Sequence, residues 1–178
     1  MPRSSRKQIS MDEKKIMVAL QKNGKGSIND LSKHCGFSRQ KVWRIIKRLE
    51  KDKVIWGYHA VVDKEKIDVK TYLILIKRTP KPMEKTFLDS IANNTLHRGG
   101  TKMGVELDSM FYVHGPYDWV LSITASDIGQ VKQFCELVAK AFRWYVADIQ
   151  VLVVLCPIKE DCIDNPNPES IRDFFLTK

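Results

Sequence analysis

Long apolar runs are absent from this sequence. The longest, YLILI at 72–76 and VLVVLC at 151–156, are far too short to cross a bilayer. The first ten residues, MPRSSRKQIS, are basic and lack the apolar core of an export signal. We therefore expect a soluble, cytoplasmic protein with no membrane partner.

Cysteine and histidine are scarce as well. The four cysteines, Cys35, Cys135, Cys156 and Cys162, form no CxxC pair, and the four histidines are scattered along the chain. The absence of any metal-ligand spacing predicts that the protein has neither a metal site nor a cofactor. Cys35 and Cys135 fall on the apolar faces of predicted helices, which indicates buried hydrophobic side chains rather than reactive thiols.

Sequence motifs of catalysis are also missing. No nucleophile–base pair, paired carboxylates or phosphate-binding loop is recognisable, and HRGGTKMG at 97–104 lacks the spacing of a Walker motif. No internal repeat or low-complexity tract interrupts the chain. These absences favour a binding protein over an enzyme.

What the sequence does contain is an uneven distribution of charge. Residues 1–53 hold 15 Lys or Arg against 5 Asp or Glu, a net charge of +10, whereas residues 54–178 have a net charge of −1. A basic first third joined to a near-neutral remainder is typical of a polyanion-binding module attached to a second domain.

The basic segment has the pattern of a helix-turn-helix. A first helix is predicted at 11–23, a second from a Ser27–Asp30 capping box to Cys35, and a third from a cap at Ser38. The apolar residues of the third helix follow the i, i+3, i+4, i+7 spacing: Val42, Ile45, Ile46 and Leu49.

Two features flank this third helix. Gly36 closes the second helix and makes the tight turn that a helix-turn-helix needs. Residues 54–62 follow the third helix and are apolar-rich, which predicts a strand or wing packed beside the helices.

Beyond a charged boundary at 63–70, the pattern is β-α-β-β-α-β. The predicted elements are a strand at 71–78, a helix at about 83–96, a Gly-rich loop at 97–104, strands at 109–114 and 119–125, a helix from a cap at Ser126 to about Phe142, and a strand at 146–156. This order is that of the ferredoxin-like fold, so the predicted fold class is α+β.

We place the domain bounds accordingly. They are 9–62 for a winged helix-turn-helix DNA-binding domain, 63–70 for a linker, 71–160 for a βαββαβ effector and dimerisation domain, and 161–178 for a tail with a short helix. That helix should begin at Glu169, and its Phe174 and Phe175 are expected to dock on their own or a neighbouring subunit.

The predicted sheet indicates a partner subunit. The strands at 72–76 and 151–155 are uniformly apolar, which suggests that both of their faces are buried. Two helices in a two-layer fold cover only one face of the sheet. We therefore expect a homodimer that forms through the sheet.

The third helix is expected to lie in the DNA major groove, with its N-terminal residues at the base edges. The residues best placed for bases are Arg39, Gln40 and Arg44. The residues expected at phosphates are Ser38, Lys41, Lys47, Arg48 and Lys51. Trp43 is expected to pack under the turn against the first helix, although an edge position at the DNA is the alternative.

Residues 31–63, LSKHCGFSRQKVWRIIKRLEKDKVIWGYHAVVD, closely resemble the helix-turn-helix and connecting strand of the Lrp/AsnC (leucine-responsive and asparagine-operon) regulators. The matching positions are Leu31, Gly36, Ser38, Val42, Arg44, Ile46, Arg48, Leu49, Glu50, Ile55, Gly57, Tyr58 and Ala60. Downstream, VHGPYDWVLSITASD resembles the G-x-Y-D hairpin of the same family. The resemblance covers about residues 9–160, with both motifs in the family's order.

The resemblance implies a bacterial or archaeal transcription regulator that binds promoter DNA as a symmetric oligomer, with dimers that can assemble further. It also implies that a small effector, usually an amino acid, binds near Gly115, Tyr117 and Asp118. In that reading Asp118 receives an α-ammonium group, and backbone N–H groups near Gly115 hold a carboxylate. The alternative is plain hairpin chemistry, in which Gly115 tolerates positive φ and Asp118 caps the turn.

The chain departs from the family pattern in three places. Lys53 replaces the glycine usual after the third helix, so either a lysine takes the left-handed conformation or the helix ends differently. The segment 97–109 is longer than the family pattern, and Pro116 sits inside the hairpin loop.

Two other functions remain open from the sequence. A siroheme-decarboxylase-like enzyme would share the two-domain fold and use His and Arg residues such as His97, Arg98 and His114. A chromatin-like protein would use the same cations to bind DNA of any sequence. The G-P-Y-D hairpin favours the regulator over the enzyme, and Arg39 with Gln40 at the helix start favours specific recognition over the chromatin-like function.

Overall fold

The computed structural model describes residues 10–176. The chain divides into two compact units, each with its own hydrophobic core. Of the described residues, the first unit contains 10–62 together with 157–176, and the second is Asp63–Cys156.

Three helices form most of the first unit: α1, Met11–Lys22; α2, Ile28–Cys35; and α3, Arg39–Lys51. Each begins at a serine whose side-chain oxygen accepts a backbone N–H of the first turn. Ser27 and Asp30 form the predicted capping box, and Ser38 caps α3 as expected. Local hydrogen bonds therefore set where all three helices begin.

The core of this unit is built on the apolar stripe of α3. The four stripe residues are buried together with residues of α1 and α2: Val42, Ile45, Ile46, Leu49, Ile16, Ala19, Leu31 and Cys35. Because adjacent stripe residues recur on one face of a helix, burying them turns the polar residues of α3 outward. Cys35 is 1% exposed and belongs to this core, as its place on an apolar face predicted.

The end of α3 shows how the chain tolerates a lysine in place of glycine. Lys53 adopts the left-handed conformation, with φ of 55°. The Val54 N–H donates to the Leu49 carbonyl at 2.9 Å and the Lys53 N–H to the Glu50 carbonyl at 3.0 Å, which is the Schellman pattern. Of the two expected outcomes, the left-handed lysine is the one adopted.

Residues 54–62 do not form the expected strand. They belong to no β-ladder of the described chain, and Trp56 is 94% exposed. A strand needs a neighbour to pair with its backbone N–H and C=O groups, and no described segment of this unit lies alongside as a paired strand. The prediction of a strand was wrong because apolar content alone does not supply that neighbour.

The second unit follows the predicted β-α-β-β-α-β order, with one extra helix. After a short 3-10 helix, Lys64–Ile67, its elements are β1, Lys70–Arg78; α4, Lys85–Ala92; α5, Thr95–Thr101; β2, Glu106–Tyr112; β3, Trp119–Ala125; α6, Ile128–Ala141; and β4, Val146–Val153. The sheet is antiparallel with strand order β2-β3-β1-β4. The predicted α+β, ferredoxin-like architecture is confirmed.

The segment expected as one helix and a Gly-rich loop is instead two helices. Asn94, with φ of 52°, separates α4 from α5, and α5 includes both Gly99 and Gly100. A Cβ on Gly99 would lie 2.9 Å from the Leu137 side chain, and one on Gly100 would lie 2.8 Å from the Val105 carbonyl. These glycines permit close packing of α5, a role that local composition does not reveal.

The remaining helix of this unit begins one residue later than predicted. Asp127, rather than Ser126, is the N-cap of α6, and its carboxylate accepts the Gln130 N–H at 3.0 Å. Val131, Phe134 and Val138 on α6 are buried against one face of the sheet. The start of the helix is thus determined by a local hydrogen bond, while its apolar face packs against the sheet.

The C-terminal residues add a small hairpin and a helix to the first unit. They form β5, Lys159–Glu160; β6, Ile163–Asp164; and α7, Pro168–Leu176. Phe174 is 43% exposed and Phe175 is 66% exposed, so the expected docking on their own subunit is not found among the described residues. Docking on a neighbouring subunit stays a prediction.

Candidate nucleic-acid interface

The outward face of α3 carries a row of polar and cationic side chains. Gln40, Arg44, Lys47 and Lys51 recur at i, i+4, i+7 and i+11, so they lie along one side of the helix, and all four are exposed. This row is opposite the buried stripe. The helix therefore presents nitrogen donors to whatever lies against its free side.

The three residues predicted at bases lie together at the start of α3. Arg39, Gln40 and Arg44 line an open depression of about 500 Å³ together with Trp43 and Ile28. Within residues 10–176, the side chains of Arg39, Gln40 and Arg44 have no hydrogen bond or ion pair. Their donors are thus available to an incoming ligand.

Trp43 does not pack under the turn as expected. Its side chain is 55% exposed and lines the same depression. The sequence spacing indicates this exposed position. Trp43 lies three residues after Gln40 and four after Arg39, and such neighbours share a helix face. Of the two positions considered for this indole, packing under the turn was the expected one, and the exposed one is adopted.

Two of the residues predicted at phosphates lean toward α1. Lys41 Nζ lies 2.7 Å from Asp12 Oδ2 and 4.2 Å from the centroid of the Phe37 ring. Arg48 Nη2 lies 2.6 Å from Glu13 Oε1. Both cations thus hold α3 against α1 in the free protein, and any phosphate contact would have to share them.

Lys47, also predicted at phosphate, belongs to a different contact. Its Nζ donates to Glu50 Oε2 at 2.8 Å, and the Tyr58 hydroxyl donates to Glu50 Oε1 at 3.0 Å. These two hydrogen bonds, with Lys47 the larger effect, hold the pKa of Glu50 below its ordinary value. Tyr58 thereby connects the segment 54–62 to α3.

Ser38 and Lys51 complete the predicted phosphate set. The Ser38 Oγ accepts the Lys41 N–H at 3.3 Å, which leaves its hydroxyl proton able to donate to an anion. Lys51 is exposed at the end of the row on α3. Both are positioned for an anion at the surface of this helix.

The residues predicted around a small effector lie in the loop between β2 and β3. The Asp118 Oδ2 accepts the Arg78 N–H at 2.9 Å, and the Tyr117 hydroxyl donates to Gln150 Oε1 at 2.6 Å. Gly115 is exposed, and its φ is not positive, so the expected conformational use of this glycine is not found. The Asp118 carboxylate therefore joins the end of the hairpin to β1, a contact that neither the effector interpretation nor the turn-capping alternative predicted.

Neither a metal site nor a membrane-spanning helix is found in the described part of the chain. Among residues 10–176, no group of three His, Cys, Asp or Glu side chains is arranged to hold a metal ion. None of the helices in that range has both the length and the hydrophobicity needed to cross a membrane.

Comparison with known proteins agrees with the geometry of α3. Residues 13–55 match the winged helix-turn-helix DNA-binding family. The leucine-responsive regulatory protein of Haemophilus influenzae is 29% identical over 137 residues, which cover 75% of this chain and 76% of the relative.

Solved structures share the fold. An AsnC family transcriptional regulator from Agrobacterium tumefaciens has a TM-score of 0.64 at 22% identity, covering 90% of this chain and 99% of that one. A transcriptional regulator from Neisseria meningitidis, in complex with L-methionine, has a TM-score of 0.63 at 22% identity, covering 92% and 99%.

The fold and the outward face of α3 define a DNA-binding protein with a winged helix-turn-helix and a ferredoxin-like domain. With the sequence relatives added, the resemblance found in the sequence is confirmed: the chain is similar in sequence and in fold to DNA-binding transcription regulators of the Lrp/AsnC type.

Glu13 gives a test of how α1 and α3 are held together. Its Oε2 accepts the Ser10 N–H at 2.6 Å, and this bond, followed by the Ser10 hydroxyl and Arg48, lowers the pKa of Glu13 below its ordinary value of 4.5. A carboxyl whose pKa is lower in the folded state stabilises the fold above its unfolded pKa, and that contribution is lost as the pH falls through the folded pKa.

We therefore predict that Glu13→Gln lowers the free energy of unfolding at pH 7 by about 1 kcal/mol, a typical capping contribution. The difference from wild type should shrink below about pH 4.5. Urea unfolding at pH 7 and pH 3.5 measures both effects, with Glu136→Gln, an exposed carboxylate on α6, as the control. A Glu13→Gln deficit of equal size at both pH values would contradict the assignment.

Proposed function

We propose that the protein binds promoter DNA in a sequence-specific manner, with α3 in the major groove. The observation that carries this proposal is the depression at the start of α3, where Arg39, Gln40 and Arg44 lie exposed and without a side-chain partner in the described chain. Arg pairs bidentately with guanine and Gln with adenine, so these types suit base recognition.

The other cations of α3 would bind the phosphate backbone. Lys47 and Lys51 lie in the outward row, and Ser38 stands at the helix start, where backbone N–H groups attract anions. Lys41 and Arg48 would contact phosphate by exchanging or sharing the carboxylates of Asp12 and Glu13. Such contacts set affinity and register without reading sequence.

Replacing Arg39 and Lys47 separately distinguishes base from phosphate contact. Arg39→Ala should remove about 1 to 3 kcal/mol of discrimination between a native site and a scrambled duplex. Lys47→Ala should weaken both duplexes alike and reduce the salt slope by about 1. Fluorescence anisotropy across a salt series, with a duplex from upstream of the protein's own gene, measures both.

The control is Lys132→Ala, which removes an exposed cation from α6 in the second unit. Equal losses on native and scrambled DNA for Arg39→Ala would refute its role at a base. A wild-type protein that binds both duplexes equally would instead support the chromatin-like function.

We further propose that the protein acts as a homodimer formed through the sheet. The face of the sheet opposite the helices carries five apolar residues beside the polar Ser122 and Gln150: Leu73, Leu75, Phe111, Val120 and Leu152. Leu73 pairs with Leu152, and Phe111 pairs with Val120, so their side chains lie on the same face. Phe111 is 57% exposed in the single chain, an arrangement that a second copy of the sheet would bury.

Symmetry gives this dimer a consequence for DNA. A two-fold axis would present two α3 helices to half-sites about 34 to 36 Å apart, one turn of the duplex. A roughly palindromic operator is expected for such a protein.

A charge on the open face of the sheet should prevent association. Leu152→Glu should convert the dimer to a monomer, because it would place a carboxylate in an apolar interface. Leu88→Glu is the matched control, since Leu88 on α4 is 46% exposed and Leu152 is 48% exposed. Size-exclusion chromatography with light scattering gives the molar mass, and a Leu152→Glu protein that stays dimeric would exclude this interface.

We also propose that an amino acid modulates DNA binding through the loop that contains Gly115, Tyr117 and Asp118. The support is the resemblance to Lrp/AsnC regulators together with the structural neighbour from Neisseria meningitidis, which was solved in complex with L-methionine. In this chain the second carboxylate oxygen of Asp118 remains to accept an α-ammonium group, since Oδ2 accepts the Arg78 N–H.

Asp118→Asn separates the two roles of this side chain. The amide oxygen can still accept the Arg78 N–H, but the negative charge that would bind an ammonium group is gone. We expect wild-type affinity for DNA to change on addition of L-methionine or L-leucine, and Asp118→Asn to bind DNA without responding to either. Anisotropy with and without amino acid measures the response, and an Asp118→Asn protein that still responds would place the effector elsewhere.

A further inference from the structure

A cationic aromatic surface lies in the second unit, away from the sequence motifs already described. Two hydrogen bonds bring together the segment after β1 and the segment between α6 and β4. The Thr79 N–H donates to the Tyr145 carbonyl at 3.0 Å, and the Thr79 hydroxyl donates to the Trp144 carbonyl at 2.7 Å. These bonds fix the backbone that carries Trp144.

Trp144 is flanked by two cations. Arg143 Cζ lies 4.7 Å and Lys81 Nζ lies 5.9 Å from the centroid of its ring. Even so, Trp144 is 60% exposed. Cations within about 6 Å of an indole ring attract its electron-rich face, so the ring and the two charges form one surface feature.

The backbone that carries Trp144 is held in place by neighbouring aromatic side chains. The next residue, Tyr145, is 9% exposed and stacks on Phe87 with ring centroids 4.2 Å apart. Phe87 in turn meets Phe142 edge-on at 5.2 Å. A buried aromatic cluster thus holds the backbone beneath an exposed indole, which limits the conformational freedom that a ligand would have to remove.

The two chain segments that meet at Trp144 are rich in positive charge. Residues 76–85 and 142–148 together contain five Lys or Arg and two acidic residues, Glu84 and Asp148. The five cations are Lys77, Arg78, Lys81, Lys85 and Arg143. Lys81 pairs with Glu84 at 2.9 Å, and Arg78 donates to the Tyr112 hydroxyl and the Lys81 carbonyl. Lys77 alternates with Leu73 and Leu75 and so lies on the sheet face proposed for the dimer. Lys85 and Arg143 are therefore the cations of these segments most open to an anion.

We propose that this surface binds single-stranded nucleic acid. An exposed aromatic ring on which a base can stack, with cations beside it for the phosphates, is the combination that single-strand binding proteins use. A duplex could not use the ring, because its bases already stack on one another. The cations extend over two chain segments on an open surface, which suits a strand better than a free nucleotide, whose sites are concave.

The test measures binding of a fluorescent single-stranded oligo(dT) of about 12 nucleotides to the full-length protein by anisotropy. Trp144→Ala should weaken this binding by about tenfold or more, whereas Trp144→Phe, which keeps an aromatic face, should lose less. Affinity for promoter duplex should be unchanged in both variants, because α3 lies in the other unit. Circular dichroism confirms that each variant is folded.

Trp56→Ala is the matched control, since Trp56 is the more exposed indole and belongs to the first unit. The proposal is overturned if wild-type protein does not bind oligo(dT), or if Trp144→Ala binds it as wild type does. It is also overturned if Trp56→Ala loses as much affinity as Trp144→Ala. Competition by a mononucleotide as effective as the strand would assign the surface to a free nucleotide instead, and a Trp144-dependent preference for anionic vesicles would assign it to a membrane.

Discussion

The burial of one face of α3 is the constraint on which the DNA-binding unit depends. Val42, Ile46 and Leu49 each fall on that face, and the hydrophobic effect drives them against α1 and α2. Because a helix is rigid, fixing one side also fixes the other. The exposed row that contains Arg44 and Lys47 therefore keeps a constant position relative to the core, which is what recognition by a helix in a groove requires.

The second unit has the opposite arrangement, because one face of its sheet is left uncovered in the single chain. Helices bury the sheet face of Ile74, while the face of Leu73 and Leu75 stays partly exposed in the single chain. In the proposed dimer, a DNA-binding unit with one recognition helix would gain both affinity and a symmetric target from association through this face. The same unit exposes Trp144 at another surface. There the exposed ring is not part of an apolar face, because two cations, Lys81 and Arg143, lie beside it.

Expectations from the sequence failed where a distant segment decides the outcome. Residues 54–62 are apolar-rich, as a strand would be, but no partner strand is present to make them a β-strand in the described chain. Gly99 and Gly100 suggest a loop by composition, yet they serve the close approach of α5 to α6 and to the Val105 carbonyl. Trp43 suggests a core residue by size, yet its helix face is that of Arg39.

The sequence by itself determined the three helices of the first unit, their serine caps, the buried stripe of α3, the concentration of positive charge and the order of elements in the second unit. Each of these depends on residues within a few positions of one another, so a local pattern is sufficient. Only the tertiary structure decided that Arg48 pairs with Glu13, that Asp118 holds the Arg78 backbone, and that Lys81 lies beside Trp144. These contacts join segments far apart in the chain, and their geometry follows from packing the whole fold rather than from any local spacing.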